Sequence, residues 1–123
     1  MIRHLHLTIS ATIIIPVGLM YGLNPSSVLL QVFGFEVQDL ELKNIFRATM
    51  GLYLAFGAYW LFGAYKKSYW RGATISNVLF MGGLAVGRLV STAIDGVSEQ
   101  FIVGLLAELL LMYWGLRNLK KAG

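Results

Sequence analysis

Apolar residues fall into four long blocks of this chain, and short polar or charged segments separate them. The pattern predicts helices over residues 5–23, 44–65, 72–92 and 101–117. Each is close to the ~20 residues a helix needs to cross a hydrocarbon core. The first block follows Arg3, His4 and His6 and so resembles the start of a signal peptide. No small-x-small cleavage pattern follows it; the run ends in Tyr21, Gly22, Leu23, Asn24 and Pro25. It is therefore expected as a retained helix, kinked at Pro16.

The longest connection, residues 24–43, carries an element of its own. Asn24 before Pro25 is a helix-start signal. Val28, Leu29, Leu30, Val32 and Phe33 make an apolar patch that suits a short amphipathic helix at the membrane surface, ended by Gly34. A tight basic loop is expected at 66–71, and a loop with Asp95 and Glu99 at 93–100. The predicted fold class is all-α. It is an integral membrane four-helix bundle, up-down-up-down, with a short periplasmic surface helix, as one transmembrane domain over 1–123.

Composition removes the soluble alternative. Of 123 residues, 57% are hydrophobic and 13% charged, whereas soluble domains carry about 25% charged residues. A soluble chain this short could not hide so much apolar surface in one core. The absence of cysteine excludes disulfides and thiolate metal sites. The net charge is +4, but the basic residues sit at the ends of apolar runs, which argues for a membrane and against nucleic acid.

The charged loops alternate in sign. Arg3, Lys66, Lys67, Arg71, Arg117, Lys120 and Lys121 fall on one side, and Glu36, Asp39, Glu41, Asp95 and Glu99, with Lys43, on the other. Lys and Arg favour the cytoplasmic side, so both termini are expected there. Trp60, Trp70 and Trp114 fall at the same ends of their helices, where an indole can straddle the interface.

The remaining information lies in charged residues inside the apolar blocks. Arg47, Arg88 and Glu108 each cost roughly 2.5–3.5 kcal/mol near a helix centre, and less towards the interface. They are tolerable only if they face inward and find partners. The alternating topology puts all three in the outer half of the bilayer, within roughly 10 Å of one level at ~1.5 Å per residue. Asn77, Leu84, Arg88, Ser91 and Asp95 form a stripe on the third span; Arg47, Gly51, Leu54 and Ala58 form one on the second; Gly104, Glu108, Leu111 and Gly115 form one on the fourth. Gly83 and Gly87 are expected to serve packing within the bundle.

Two readings follow. One is a structural ion-pair network that fixes helix register. The other is an outward-open polar pocket in which Arg47, Arg88, Glu108, Asn77, Asp95 and Ser91 surround the acidic or carbonyl head of a lipid-like or quinone-like molecule. A transport pathway is the weakest alternative, because repeats and broken helices are missing. His4 and His6 are read as interfacial side chains, and Asn77 as a helix–helix hydrogen-bonding group. No Ser-His-Asp set, metal-ligand cluster or glycine-rich phosphate loop occurs, so neither a cofactor nor enzymatic activity of the chain alone is expected.

The stretch Asn44-Ile-Phe-Arg47-Ala-Thr-Met-Gly51-Leu-Tyr53 and the stretch from Ser76-Asn77 to Gly82-Gly83 and Gly87-Arg88, with Asp95-Gly96 and Glu108, carry a resemblance. There the chain resembles the bacterial inner-membrane family called domain of unknown function four-three-four-five. The likeness covers nearly the whole chain and implies four helices in an inner membrane, with no activity attached. A looser likeness, in size and span number only, is to DoxX-like membrane proteins, some of which are linked to quinol oxidation. The sequence reading is thus a small non-enzymatic membrane protein with a polar pocket. The alternative is an accessory or assembly subunit of a larger membrane redox complex; the partners expected are membrane lipid and either another membrane protein or further copies of the chain in a homo-oligomer.

Overall fold

The computed structural model describes residues 2–122, with side chains from His4 onward. Arg3, assigned above to the basic side, lies outside the residues whose side chains are described. Among the described residues there are five α-helices and no strand. They are α1 (Ile2–Gly22), α2 (Pro25–Phe33), α3 (Leu40–Tyr65), α4 (Lys67–Asp95) and α5 (Ile102–Ala122), with one 3-10 turn at Glu99–Phe101. Four of the helices, all but α2, are long and apolar enough to cross a membrane.

The helices overrun the apolar blocks at their charged ends. The expected basic loop 66–71 shrinks to Lys66 alone, in an extended conformation, because α4 already begins at Lys67. The acidic-side loop reduces to 96–98 before the 3-10 turn. Hydropathy marks where a helix leaves hydrocarbon; hydrogen bonding continues it into the interface, where charged side chains are solvated. α1 likewise continues through Pro16 as one element, with the proline ring exposed. α2 forms as expected behind Asn24 and stops at Gly34, whose φ of +79° is the left-handed conformation glycine adopts freely.

Successive long helices run antiparallel. Gly18 of α1 meets Tyr53 of α3, and Ile15 meets Gly57; Trp60 of α3 meets Ser76 of α4; Gly82 of α4 faces Met112 of α5. α1 packs most extensively on α3, and α4 packs on both α3 and α5. The α1–α3 seam is close-packed. A Cβ built on Gly57 would lie 2.5 Å from Ile15 Cγ1, and one on Gly18 2.6 Å from Tyr53 Cβ. Small residues permit this approach where lipid supplies no hydrophobic drive between helices. Gly83 and Gly87, expected as packing glycines, are exposed, with nothing within 4 Å of a built Cβ.

The bundle centre is aromatic. Phe80 stands 5.1 Å from Tyr53, 5.2 Å from Phe56 and 5.2 Å from Trp60, with the Tyr53 and Trp60 contacts edge-on. Trp60 is not an interfacial residue. It is fully buried, and its Nε1 donates to Ser76 Oγ at 3.1 Å, which satisfies its polar edge within the bundle. Trp70 is also buried. Exposed aromatics towards that end include Phe62, Tyr65, Tyr69 and Tyr113.

Candidate functional site

Arg88 on α4 and Glu108 on α5 form a forked ion pair between the two helices. Arg88 Nε donates to Glu108 Oε1 at 2.8 Å and to Oε2 at 3.1 Å, and Nη2 donates to Oε2 at 3.0 Å. The side chains are 24% and 9% exposed, so the pair is largely removed from solvent. Gly104, one turn before Glu108, faces the guanidinium; a Cβ there would sit 3.7 Å from Nη2, an ordinary contact. The Phe101 ring lies 5.3 Å from the guanidinium carbon, within cation–π range. Forked Arg–carboxylate geometry is the strongest neutralisation two side chains can supply.

Of the three guanidinium N–H groups left by this pairing, one faces the Tyr21 hydroxyl and two are spare. Arg88 lines three cavities at once. One, of about 240 Å³, lies between α1 and α5, is walled by Ile13, Val17, Met81 and Leu111, and includes Glu108. A second, of about 520 Å³, is a groove between α3 and α4 walled by Tyr21, Phe46, Tyr53, Gly83 and Gly87. A small third opens towards Ser98 and Gly96. The arginine is thus the polar point at which apolar spaces on both sides of α4 meet.

The other residues singled out from sequence are placed unevenly. Ser91 lines the groove and the small cavity, on the exposed side of Arg88. Asp95 is exposed at the end of α4. Arg47 does not join the cluster. It is exposed, and its Nε donates to the Gly22 carbonyl at 3.3 Å, where α1 ends and its last carbonyls lack partners within the helix. The Arg47–Gly51–Leu54–Ala58 stripe faces mostly outward, because α3 buries Tyr53, Gly57, Trp60 and Ala64 instead. Asn77 is fully buried but lies eleven residues from Arg88 along α4, roughly 16 Å away. Neither of its amide atoms finds a partner among the described residues.

Asn77 belongs to a second polar layer that the sequence reading missed. His6 is not interfacial. It is fully buried, stands edge-on to Trp114 at 5.3 Å, and its Nε2 lies 2.9 Å from the Leu111 carbonyl. A carbonyl only accepts, so Nε2 carries the proton. Gly115 makes room for the ring: a Cβ there would lie 3.0 Å from His6 Cε1 and 2.7 Å from Val78 Cγ2. Ser10, one turn on from His6, and Thr74, one turn before Asn77, are fully buried as well. Ile14, Met81 and Leu111, all buried, lie between this layer and the Arg88–Glu108 pair. The i, i+4 spacing of His6 and Ser10 inside an apolar run was the available signal. His4, by contrast, is exposed, with Nδ1 2.9 Å from the Ala64 carbonyl. Among the described residues no three His, Asp or Glu converge as metal ligands.

Compared with known proteins, no curated sequence and no solved structure matches this chain. The looser DoxX-like likeness therefore gains no support. One family model does match, described as "Domain of unknown function (DUF4345)", over residues 2–117. That match spans nearly the whole bundle, including Arg88, Glu108 and the His6 layer, and the chain belongs to the DUF4345 family.

Proposed function

We propose that this is a multi-pass protein of the bacterial inner membrane, with both termini cytoplasmic, that binds an amphipathic molecule by its polar head at Arg88. The side assignment rests on charge. Lys66, Lys67, Arg71, Arg117, Lys120 and Lys121 crowd one end, whereas Glu36, Asp39, Glu41, Asp95 and Glu99 occupy the other. The Arg88–Glu108 pair then lies in the periplasmic half.

The observation that carries the ligand reading is a paired arginine with spare N–H donors at the junction of apolar cavities. Small-molecule sites are mostly apolar, with a few placed polar groups that orient the ligand. With Arg47 elsewhere, Glu108 already balances the Arg88 charge. A neutral acceptor such as a carbonyl or quinone oxygen then suits the site better than a carboxylate, which would add an uncompensated negative charge. Tyr21, Phe46 and Tyr53 would flank a ring, and the groove floored by Gly83 and Gly87 would take an isoprenoid or acyl tail.

The test is mass spectrometry of small molecules retained through detergent purification. The reading expects a carbonyl-headed lipid or quinone in the wild type and in Arg47→Gln, and its loss in a folded Arg88→Gln. Equal retention in Arg47→Gln and Arg88→Gln overturns it. Obligate co-purification of a larger membrane protein, with no small molecule, instead favours the accessory-subunit reading; exposed Gly51, Gly83 and Gly87 would let a partner helix approach closely.

A further inference from the structure

The bundle has another cavity at its opposite, basic end. It measures about 540 Å³ and is lined by His4, Gly63, Ala64, Tyr65, Lys67, Trp70, Arg71 and Ala122. The α3–α4 reversal creates it. Because the connection is Lys66 alone, the last turn of α3 and the first turn of α4 meet at a sharp corner, with Gly63 packed directly on Ala73, and the hollow lies beside that corner.

The hollow is cationic, and among the described residues no side-chain carboxylate lines it. The chain has six acidic residues; five lie in the acidic-end segments, and Glu108 is bound to Arg88 inside the bundle. Lys67 and Arg71 are one helical turn apart on α4 and so project to the same side of it. They stand, moreover, in the first turns of a 29-residue helix that has neither an acidic residue in its first turn nor a side-chain cap hydrogen bond. Cations normally favour a helix C-terminus; here they add to the positive end of the dipole. An anion seated in the hollow relieves that repulsion, accepts from the guanidinium in forked geometry, and lies near the first backbone N–H groups of α4.

Depth selects among anions. Tyr65 is 86% exposed at the rim, and Tyr69, on the first turn of α4 outside the lining, is 49% exposed. Exposed tyrosines of this kind sit at headgroup level in a bilayer. We infer that this cleft seats the phosphate headgroup of an anionic phospholipid from the adjoining leaflet, with Lys67 and Arg71 on the phosphate and Tyr65 and Trp70 against the glycerol and first acyl carbons. The inference needs the membrane reading but not the Arg88 ligand, so either can fail alone.

Native mass spectrometry of the full chain in detergent, titrated with phosphatidylglycerol, phosphatidylcholine or inorganic phosphate, tests it. Near-surface cations each contribute roughly a kcal/mol to anionic-lipid attraction. Lys67→Gln with Arg71→Gln should therefore weaken phosphatidylglycerol binding by at least about tenfold. Lys120→Gln with Lys121→Gln, at the same end but outside the cleft, should cost less than about threefold. Ala122→Trp keeps every charge and fills the cleft, so it too should lower phosphatidylglycerol binding. Equal affinity for the two lipids overturns the inference. So does an equal loss from the two double variants, which marks diffuse charge, or full binding by Ala122→Trp. Competition by millimolar inorganic phosphate alone reassigns the cleft to a free anion and also overturns it. If Lys67→Gln with Arg71→Gln does not fold, Ala122→Trp against the wild type decides.

Discussion

Arg88 and Glu108, twenty residues apart in sequence, meet across the α4–α5 seam in a forked pair with a shortest contact of 2.8 Å. A buried pair of this kind is weak evidence of net stability, but breaking it on one side strands a charge in low dielectric. Glu108→Ala should therefore lower the detergent melting temperature more than Asn77→Ala, by a difference of about 2–3 kcal/mol. The partial exposure of Arg88 keeps that figure at the low end. Replacing both partners, Arg88→Met with Glu108→Leu, should recover most of the loss. Thermal melts of the three variants decide; equal melting temperatures for Glu108→Ala and Asn77→Ala contradict the pair's role.

Gly115 and Gly83 make a contrasting pair. A methyl at Gly115 would collide with Val78 and with the His6 ring that bonds the Leu111 carbonyl. A methyl at Gly83 would meet nothing. Gly115→Ala should destabilise by about 1–3 kcal/mol through overpacking. Gly83→Ala should be neutral or stabilising by up to about 1 kcal/mol, from helix propensity alone. Melting curves of the two variants separate the outcomes, and reversal of their order would show that the α1–α5 seam is looser than described.

Arg47 lies apart from the proposed ligand site. Its single described hydrogen bond closes the end of α1, so Arg47→Ala should cost only about 1 kcal/mol. Any quinone or lipid bound at Arg88 should keep its affinity in that variant. A tenfold loss of ligand affinity in Arg47→Ala would place the arginine back in the site.

Topology can be tested directly because the chain has no cysteine. Ser68 and Ser98 are both exposed, at opposite ends of α4. In intact cells a membrane-impermeant maleimide should label Ser98→Cys, whereas Ser68→Cys should react only after permeabilisation. The reverse pattern would invert the orientation and move the Arg88 site to the cytoplasmic half.

The four apolar blocks, the surface helix between Asn24 and Gly34 and the separation of basic from acidic ends could all be read from sequence. These properties follow from local composition, and a bilayer or interface imposes the same requirement on each segment wherever its neighbours lie. Depth was equally legible: Arg88 and Glu108 come together because rise per residue and alternating direction fix their level. Rotation was not. Arg47 sits at the expected depth yet turns outward, and Gly83 and Gly87 line an open groove rather than a seam. In a membrane helix nearly every face is apolar, so hydrophobic periodicity, which sets orientation in soluble bundles, carries little information. Only the tertiary contacts decided which face of each helix turns inward. Gly18 and Gly57 bring α1 onto α3, and that packing buries Trp60. Gly115 admits His6 to the interior, where the sequence had left it at the water's edge.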